Sequence, residues 1–573
     1  MPSQRSDVPE MRESLSWMDG DQPCMLPSPA RRTKTSSPSP TDSVPGTSLP
    51  PHATTTAAAT AEMASTHPSP PGHAPHDGET CDGTVPYDLS DVRRGVAAMN
   101  AAYDWTGPSD PDNPRNFPLA FRVCSAAALT LLAMVGTVVG AMYAPAQDAV
   151  AAAFGVPRET AVLPLSMYNL GLACGPLVGG PLSETYGRRA VVLGTAPVFM
   201  LFVLGGALVP ETGSIAGLVA CRFLAGMFAA PLINNAPATM LDFTPTRHRG
   251  VVLGIYYTVP SFGASLGPLA GGFLVHAGGW RWTQWAALVL AAACYLPVAA
   301  GTRETYKKII LRRRATRLGL RDSASQRTSP GRALRHFATT LVQRPLHMLL
   351  TEPIVALVSL YCGFLFALLY TYVVAVPWIF GRYYGFAEPL ASLSFLGLIV
   401  GTLAASVPLV AIDVCYYQPR LRRWQAEHGG GDDDAALPSE HRLVGALAGS
   451  LLLPACLFAS AWTAERRAHW IAPVVFQGCV MLASILIYSS ASLFMLDAYG
   501  PLYGASASGA AMMSRYVLSA AFPLFALQMY EALGVGWATT VLGCVTLAMA
   551  PIPWCFWVFG ERIRKRSRYE TST

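Results

Sequence analysis

Apolar positions along this chain fall into long runs separated by short polar segments, with none of the every-other-residue alternation of a half-buried strand. Twelve such runs can be drawn, roughly at 121–144, 161–182, 189–209, 214–240, 250–275, 282–301, 353–376, 389–414, 442–462, 470–495, 506–530 and 535–559. Each is close to the ~20 residues that cross a bilayer as a helix. A polar stretch of about fifty residues, Arg303 to Glu352, divides them six and six, the pattern of two related halves in a secondary transporter. The expectation is an all-α membrane protein with twelve transmembrane helices in two six-helix bundles, 119–302 and 353–560. A loop at 303–352 joins the bundles and a tail at 561–573 follows them.

The flanks refine this picture. Residues 1–118 are rich in Pro, Ser, Thr and Ala, too polar and aperiodic to bury a core, and read as a disordered tail. No apolar leader opens it, and His52, His67, His73 and His76 read as part of a biased composition rather than a metal site. Lys and Arg count 25 in the loops on the side of that tail and 5 on the other, so both termini are expected in the cytoplasm. The segment TRETYKKIILRRRATRLGLR in the central loop has the look of a basic amphipathic helix lying on an anionic leaflet. The GGGDDD of the 415–441 loop reads as a flexible connector.

Composition agrees. Of 573 residues, 52% are hydrophobic and 13% charged, about half the charged share of a globular protein. The net charge of +6 is gathered beside the apolar runs, which argues for a bilayer and against a nucleic-acid partner. The twelve cysteines are scattered without metal-like spacing and read as small apolar fillers. No P-loop is present, which excludes an ATP-driven pump, and no enzyme constellation, cofactor site or metal site stands out.

Four motifs carry the chemistry. The stretch GIYYTVPSFGASLGPLAGG holds Gly254, Gly263, Gly267, Pro268, Gly271 and Gly272. A soluble helix would not tolerate that load, but a membrane helix pressed on a neighbour would. Gly263, Gly267 and Gly271 lie at i, i+4, i+8 and predict the contact face. After the second run come Gly180, Glu184, Gly187, Arg188 and Arg189, an acid and two arginines at a tight turn, expected as a breakable inner gate, with Asp242 and Arg247 as a second pair. Arg222 and Arg515 are charges inside apolar runs, costly and therefore functional by default. The first run holds no acid.

The glycine pattern resembles the helix-5 antiporter motif of drug:proton antiporters of the major facilitator superfamily. The 180–189 segment resembles the loop signature of that superfamily, with Glu184 where Asp is usual. Asp110–Asn116 and Glu304-Thr305-Tyr306 resemble segments of the fungal-type multidrug, polyamine and secondary-metabolite branch. The resemblance spans residues 103–568 and implies two bundles rocking about a midplane cavity. It implies export of a small amphipathic molecule in exchange for protons, and a coupling role for Arg222. The cavity is expected to draw on Tyr168, Asn169, Asn234, Asn235, Tyr256, Tyr257, Tyr370, Tyr372, Gln477, Tyr488 and Arg515. Its aromatics and fixed cations favour a neutral or weakly anionic substrate. The alternatives are a polyamine exporter, a nutrient importer, or a non-transporting membrane sensor. The expected partners are a small-molecule substrate, protons and the lipid bilayer, with the protein a monomer. The expected place is the cell membrane, with the vacuolar membrane as the alternative.

Overall fold

The computed structural model describes residues 104–567 except 108, 212, 246–247, 319–342 and 429–436, together with residue 569. The expectations for residues 1–103, Arg247 and the GGGDDD connector lie outside the described residues.

Every regular element among the described residues is helical. The first half contains α1 (Leu119–Met142), α2 (Arg158–Tyr186), α3 (Arg188–Leu208), α4 (Ala216–Phe243), α5 (Arg249–Gly278) and α6 (Arg281–Gly301). The second contains α7 (Pro353–Tyr384), α8 (Leu396–Ala411), α9 (Val444–Glu465) and α10 (Ile471–Gly500), followed by the helical run Tyr503–Arg564. The backbone departs from helical geometry at Gly500 (φ 58°) and Gly534 (φ 75°). Glycine adopts such a conformation without the steric penalty of a Cβ. We therefore treat 501–533 as α11 and 535–564 as α12.

Ten helical runs among the described residues are long and apolar enough to cross a membrane, against the twelve expected. The difference lies in two places. The run Tyr503–Arg564 counts once although Gly534 divides it, and α2, 29 residues long, is not among the ten.

Small residues set the packing. Built onto Gly267, a Cβ would lie 2.7 Å from the Val138 carbonyl oxygen and 2.8 Å from the Met142 nitrogen; Gly263 faces Met134 and Thr137, and Gly271 faces the Met142 carbonyl. The predicted face of α5 thus meets α1 backbone to backbone. The same device recurs between α2 and α4, where Gly171, Gly175 and Gly179 approach Phe223, Ala230 and Pro231. It appears again between α8 and α10, where Gly397 and Gly401 approach Val474 and Gly478. In lipid, where apolar burial does not drive helices together, close contacts of this kind do. The halves meet where α5 lies against α8 and α2 against α11.

Short helices flank the bundles at both ends, Gln147–Phe154 and Glu388–Ser392 at one and Lys307–Arg317 at the other. Lys307–Arg317 forms the expected amphipathic helix, burying Ile309 and Leu311. The expectation that the tail runs free to residue 118 needs correcting. Asp110 is fully buried beneath Arg314, which also bonds Asp112, while Lys307 pairs with Asp104 at 2.7 Å. Arg314 holds the Asp110 carboxyl well below the usual carboxylate range, and Asp110 in turn raises the Arg314 guanidinium. The segment before α1 is therefore clipped to the central-loop helix by charge.

Candidate functional site: two charged layers in the bundle

Two groups of charges bear on the site, a basic rim at one end and a set of cations deep within. At the rim, α2 ends at Gly187 (φ 100°), where an added Cβ would collide with the Glu304 carboxylate. Glu304 accepts from the Arg188 amide (2.8 Å) and the Arg189 amide (3.3 Å). It thereby caps the N-terminus of α3, where a negative charge is favoured by unpaired amides and the helix dipole. Arg188 lies 3.5 Å from Asp242, bonds Ser183 and covers the Tyr306 ring; Thr305 donates to Asp242 at 2.9 Å. Glu184, expected beside the two arginines, is exposed and enters no ion pair among the described residues; Asp242 and Glu304 lie at those arginines instead. Gly180 has open space where a Cβ would be.

The second half supplies a tighter group that sequence reasoning missed. Arg442 bonds Asp413 (3.1 Å) and Asp497 (2.8 Å) and lies over the Tyr417 ring. Asp413 sits in a turn of π-helix, Ile412–Tyr417, an element that often marks functional positions. The pair presses on Gly250 of α5, beside a cleft of about 30 Å³ between the halves. Gly254 lines that cleft and has no atom within contact range of an added Cβ.

Deeper in, Arg222 and Arg515 are 2% and 4% exposed, and among the described residues neither pairs with a carboxylate. Arg222 donates to the Val139 carbonyl of α1 (2.8 Å) and lies over Tyr143 and Tyr168; its Nε and Nη2 are buried without partners. Arg515 donates to the Tyr488 hydroxyl and lies 4.4 to 5.2 Å from the ring centres of Phe366, Tyr516 and Tyr488; its Nε is also unpartnered. Tyr257 of α5 meets Tyr488 edge to face, so this aromatic box spans the boundary between halves.

The expected cavity residues divide. Tyr168, Asn169, Tyr256, Tyr257, Tyr370, Tyr488 and Arg515 gather at this level. Tyr168 donates to Gly136, Tyr256 to Ile233, and Asn169 reaches Ser519 of the other half at 3.3 Å. Tyr370 lies within electrostatic range of both guanidiniums. The others point elsewhere. Asn235 turns to the rim and bonds the Arg188 carbonyl (2.7 Å). Tyr372 lies in the second-half core beside Tyr530 and Ser460. Gln477 and Asn234 keep buried amide atoms without hydrogen-bond partners among the described residues. Tyr143, Phe366 and Tyr516 complete the site and were missed; Tyr516, adjacent to Arg515, was the one within reach of the sequence.

At the end opposite the rim the halves part. A cavity of about 400 Å³ opens there, lined by Gln147, Asp148, Gly272, Trp378 and Glu388 among others. That cavity of about 400 Å³ contrasts with the cleft of about 30 Å³ at the rim.

Comparison with known proteins agrees with this architecture. The family model of the Major Facilitator Superfamily matches residues 128–523. The chain is 33% identical over 484 residues to polyamine transporter 4 of Saccharomyces cerevisiae, covering 81% of this chain and 73% of that one. It is 35% identical over 474 residues to the MFS-type transporter traF of Penicillium crustosum, covering 82% and 93%. It is 31% identical over 530 residues to the efflux pump radE of Floropilus chiversii, covering 87% and 96%. Among solved structures, the xylose transporter XylE of E. coli superposes with a TM-score of 0.54 at 15% identity, over 77% of this chain and 98% of that one. By sequence match and by fold together, the chain belongs to the Major Facilitator Superfamily.

Proposed function

We propose that this protein is a secondary active efflux transporter that exports a small amphipathic molecule, neutral or weakly anionic, in exchange for protons. The observation that carries the substrate class is the deep pair Arg222 and Arg515, two buried cations walled by aromatic rings and without a carboxylate partner among the described residues. Such a site repels a polycation and suits an aromatic or acidic molecule. Relatives named as efflux pumps support the direction. Cargo leaves by the cavity of about 400 Å³ opposite the rim, with the rim and both termini in the cytoplasm of a cell-membrane monomer. Arg222 serves the coupling step, and the α1–α5 glycine face lets the first half move as a unit.

A second reading, polyamine export, draws on the similarity to polyamine transporter 4. One assay separates the two: proteoliposomes of known sidedness with an imposed pH gradient, offered 1-naphthoate, 1-naphthamide or spermidine. Proton-driven movement of the naphthalenes without spermidine supports the proposal. Spermidine movement alone establishes the second reading, and inward movement with the proton gradient makes the protein an importer.

A further inference from the structure

Arg515 poses a physical question that helix packing does not answer. A guanidinium buried in a low-dielectric interior is stable only when a negative group or a full set of acceptors faces it. Among the described residues Arg515 has one neutral acceptor, the Tyr488 hydroxyl, three ring faces and a buried Nε–H without a hydrogen-bond partner. Ring faces attract a cation but offer no hydrogen-bond acceptor to the unpartnered Nε–H. At the basic rim the same chain neutralises Arg442 with two aspartates and Arg564 with Glu440. The chain therefore has a ready means of pairing a buried arginine, and Arg515 is left without it.

The surroundings restrict what could complete the site. Phe366, Tyr488, Tyr516 and Tyr257 form an aromatic enclosure with hydroxyls at its edge. It sits where α5 of one half meets α7, α10 and α11 of the other. The guanidinium fork matches a planar, two-oxygen anion. We infer that Arg515 is the specificity anchor for a single carboxylate on an aromatic or polyene-like substrate, the acid on Arg515 and the apolar body among the rings. This rests on the efflux reading only for the identity of that acid as cargo; binding itself is independent of it.

The test uses the full chain in nanodiscs at neutral pH, with empty nanodiscs as control for partition into lipid. Binding of 1-naphthoate, 1-naphthamide and 1-naphthylmethylammonium is measured by ligand-induced thermal stabilisation. Wild type is expected to bind the carboxylate about tenfold or more tighter than the amide or the ammonium, the scale of a charge-assisted bidentate contact. Arg515→Gln should erase that preference while amide binding persists. Arg515→Lys should restore part of it, because charge returns without the fork. Equal binding of carboxylate and amide by wild type, or an undiminished preference in Arg515→Gln, overturns the inference. If the Gln variant does not fold, Arg515→Lys decides: a reduced preference supports the anchor and an unchanged one overturns it. Carboxylate preference without flux in proteoliposomes keeps the anchor and removes the efflux reading. Flux of all three probes alike does the reverse.

Discussion

The basic rim and the deep layer treat the same side chain in opposite ways. At the rim, Arg442 is held by Asp413 and Asp497, and Arg564 by Glu440 at 2.9 Å. In the deep layer, Arg222 and Arg515 have rings, one hydroxyl and one carbonyl, and no acid. Paired charges hold a structure and can be broken by movement. Unpaired ones are poor structural elements, because burial without compensation costs free energy. The difference separates charges that lock the halves from charges kept available for something that arrives.

The largest effect should follow from breaking a pair. Arg442→Ala takes the cation away from two acids, one of them buried, and should destabilise the fold by about 3 to 5 kcal/mol, read as a large drop in melting temperature and in monodisperse yield. Adding Asp413→Asn and Asp497→Asn should return much of the loss. Stability equal to wild type in the single variant would mean that the rim cluster locks nothing.

Next comes the α1–α5 contact. Gly267→Leu drives a side chain into the α1 backbone near Val138 and Met142. Overpacking of this kind costs about 1 to 3 kcal/mol. The variant should still insert, since hydropathy is not reduced, but lose transport; normal flux would show that the halves do not depend on this contact.

Arg222→Ala should cost little stability, about 1 to 2 kcal/mol for two ring contacts and one hydrogen bond, yet remove proton-driven flux. Arg222→Lys should keep part of it. A large stability loss with intact flux would move Arg222 from the second class of charge to the first.

The smallest effect concerns the clip before α1. The Asp110 carboxyl is depressed by Arg314, so its contribution is present above the unfolded carboxylate value, about 3.9, and is lost as pH falls below it. Between pH 5 and 8, as bracketed by ordinary assays, the clip should not vary. Asp110→Asn should leave the global melting temperature near wild type but expose residues 104–118 to protease; unchanged proteolysis would mean that charge does not hold the segment.

How much of this was legible follows from chain distance. The α5 face was readable because three glycines at helical spacing leave one interpretation for a membrane helix. Arg222 and Arg515 were readable because a charge in an apolar run is conspicuous. Arg442 with Asp413 and Asp497 was not, because its members are 29 and 55 residues apart and each sits at the end of a run, where charges are ordinary. Helix faces caused the remaining errors. Tyr370 and Tyr372 are two positions apart, about 200° around a helix, so only one of them can face the midplane. Asn234 and Asn235 differ by about 100°, and Asn235 turns to the rim. Glu184 failed because its acidic role is met by Glu304, more than a hundred residues along the chain.

The most direct test of the account measures melting temperature and initial proton-driven flux of 1-naphthoate on the same preparations of wild type, Arg442→Ala and Arg222→Ala. The account predicts that Arg442→Ala loses most of its thermal stability. Arg222→Ala should melt within a few degrees of wild type, as about 1 to 2 kcal/mol implies for a chain of this size, and carry no flux. Arg222→Ala that transports as wild type does, or that unfolds as readily as Arg442→Ala, would contradict the separation of locking charges from working ones.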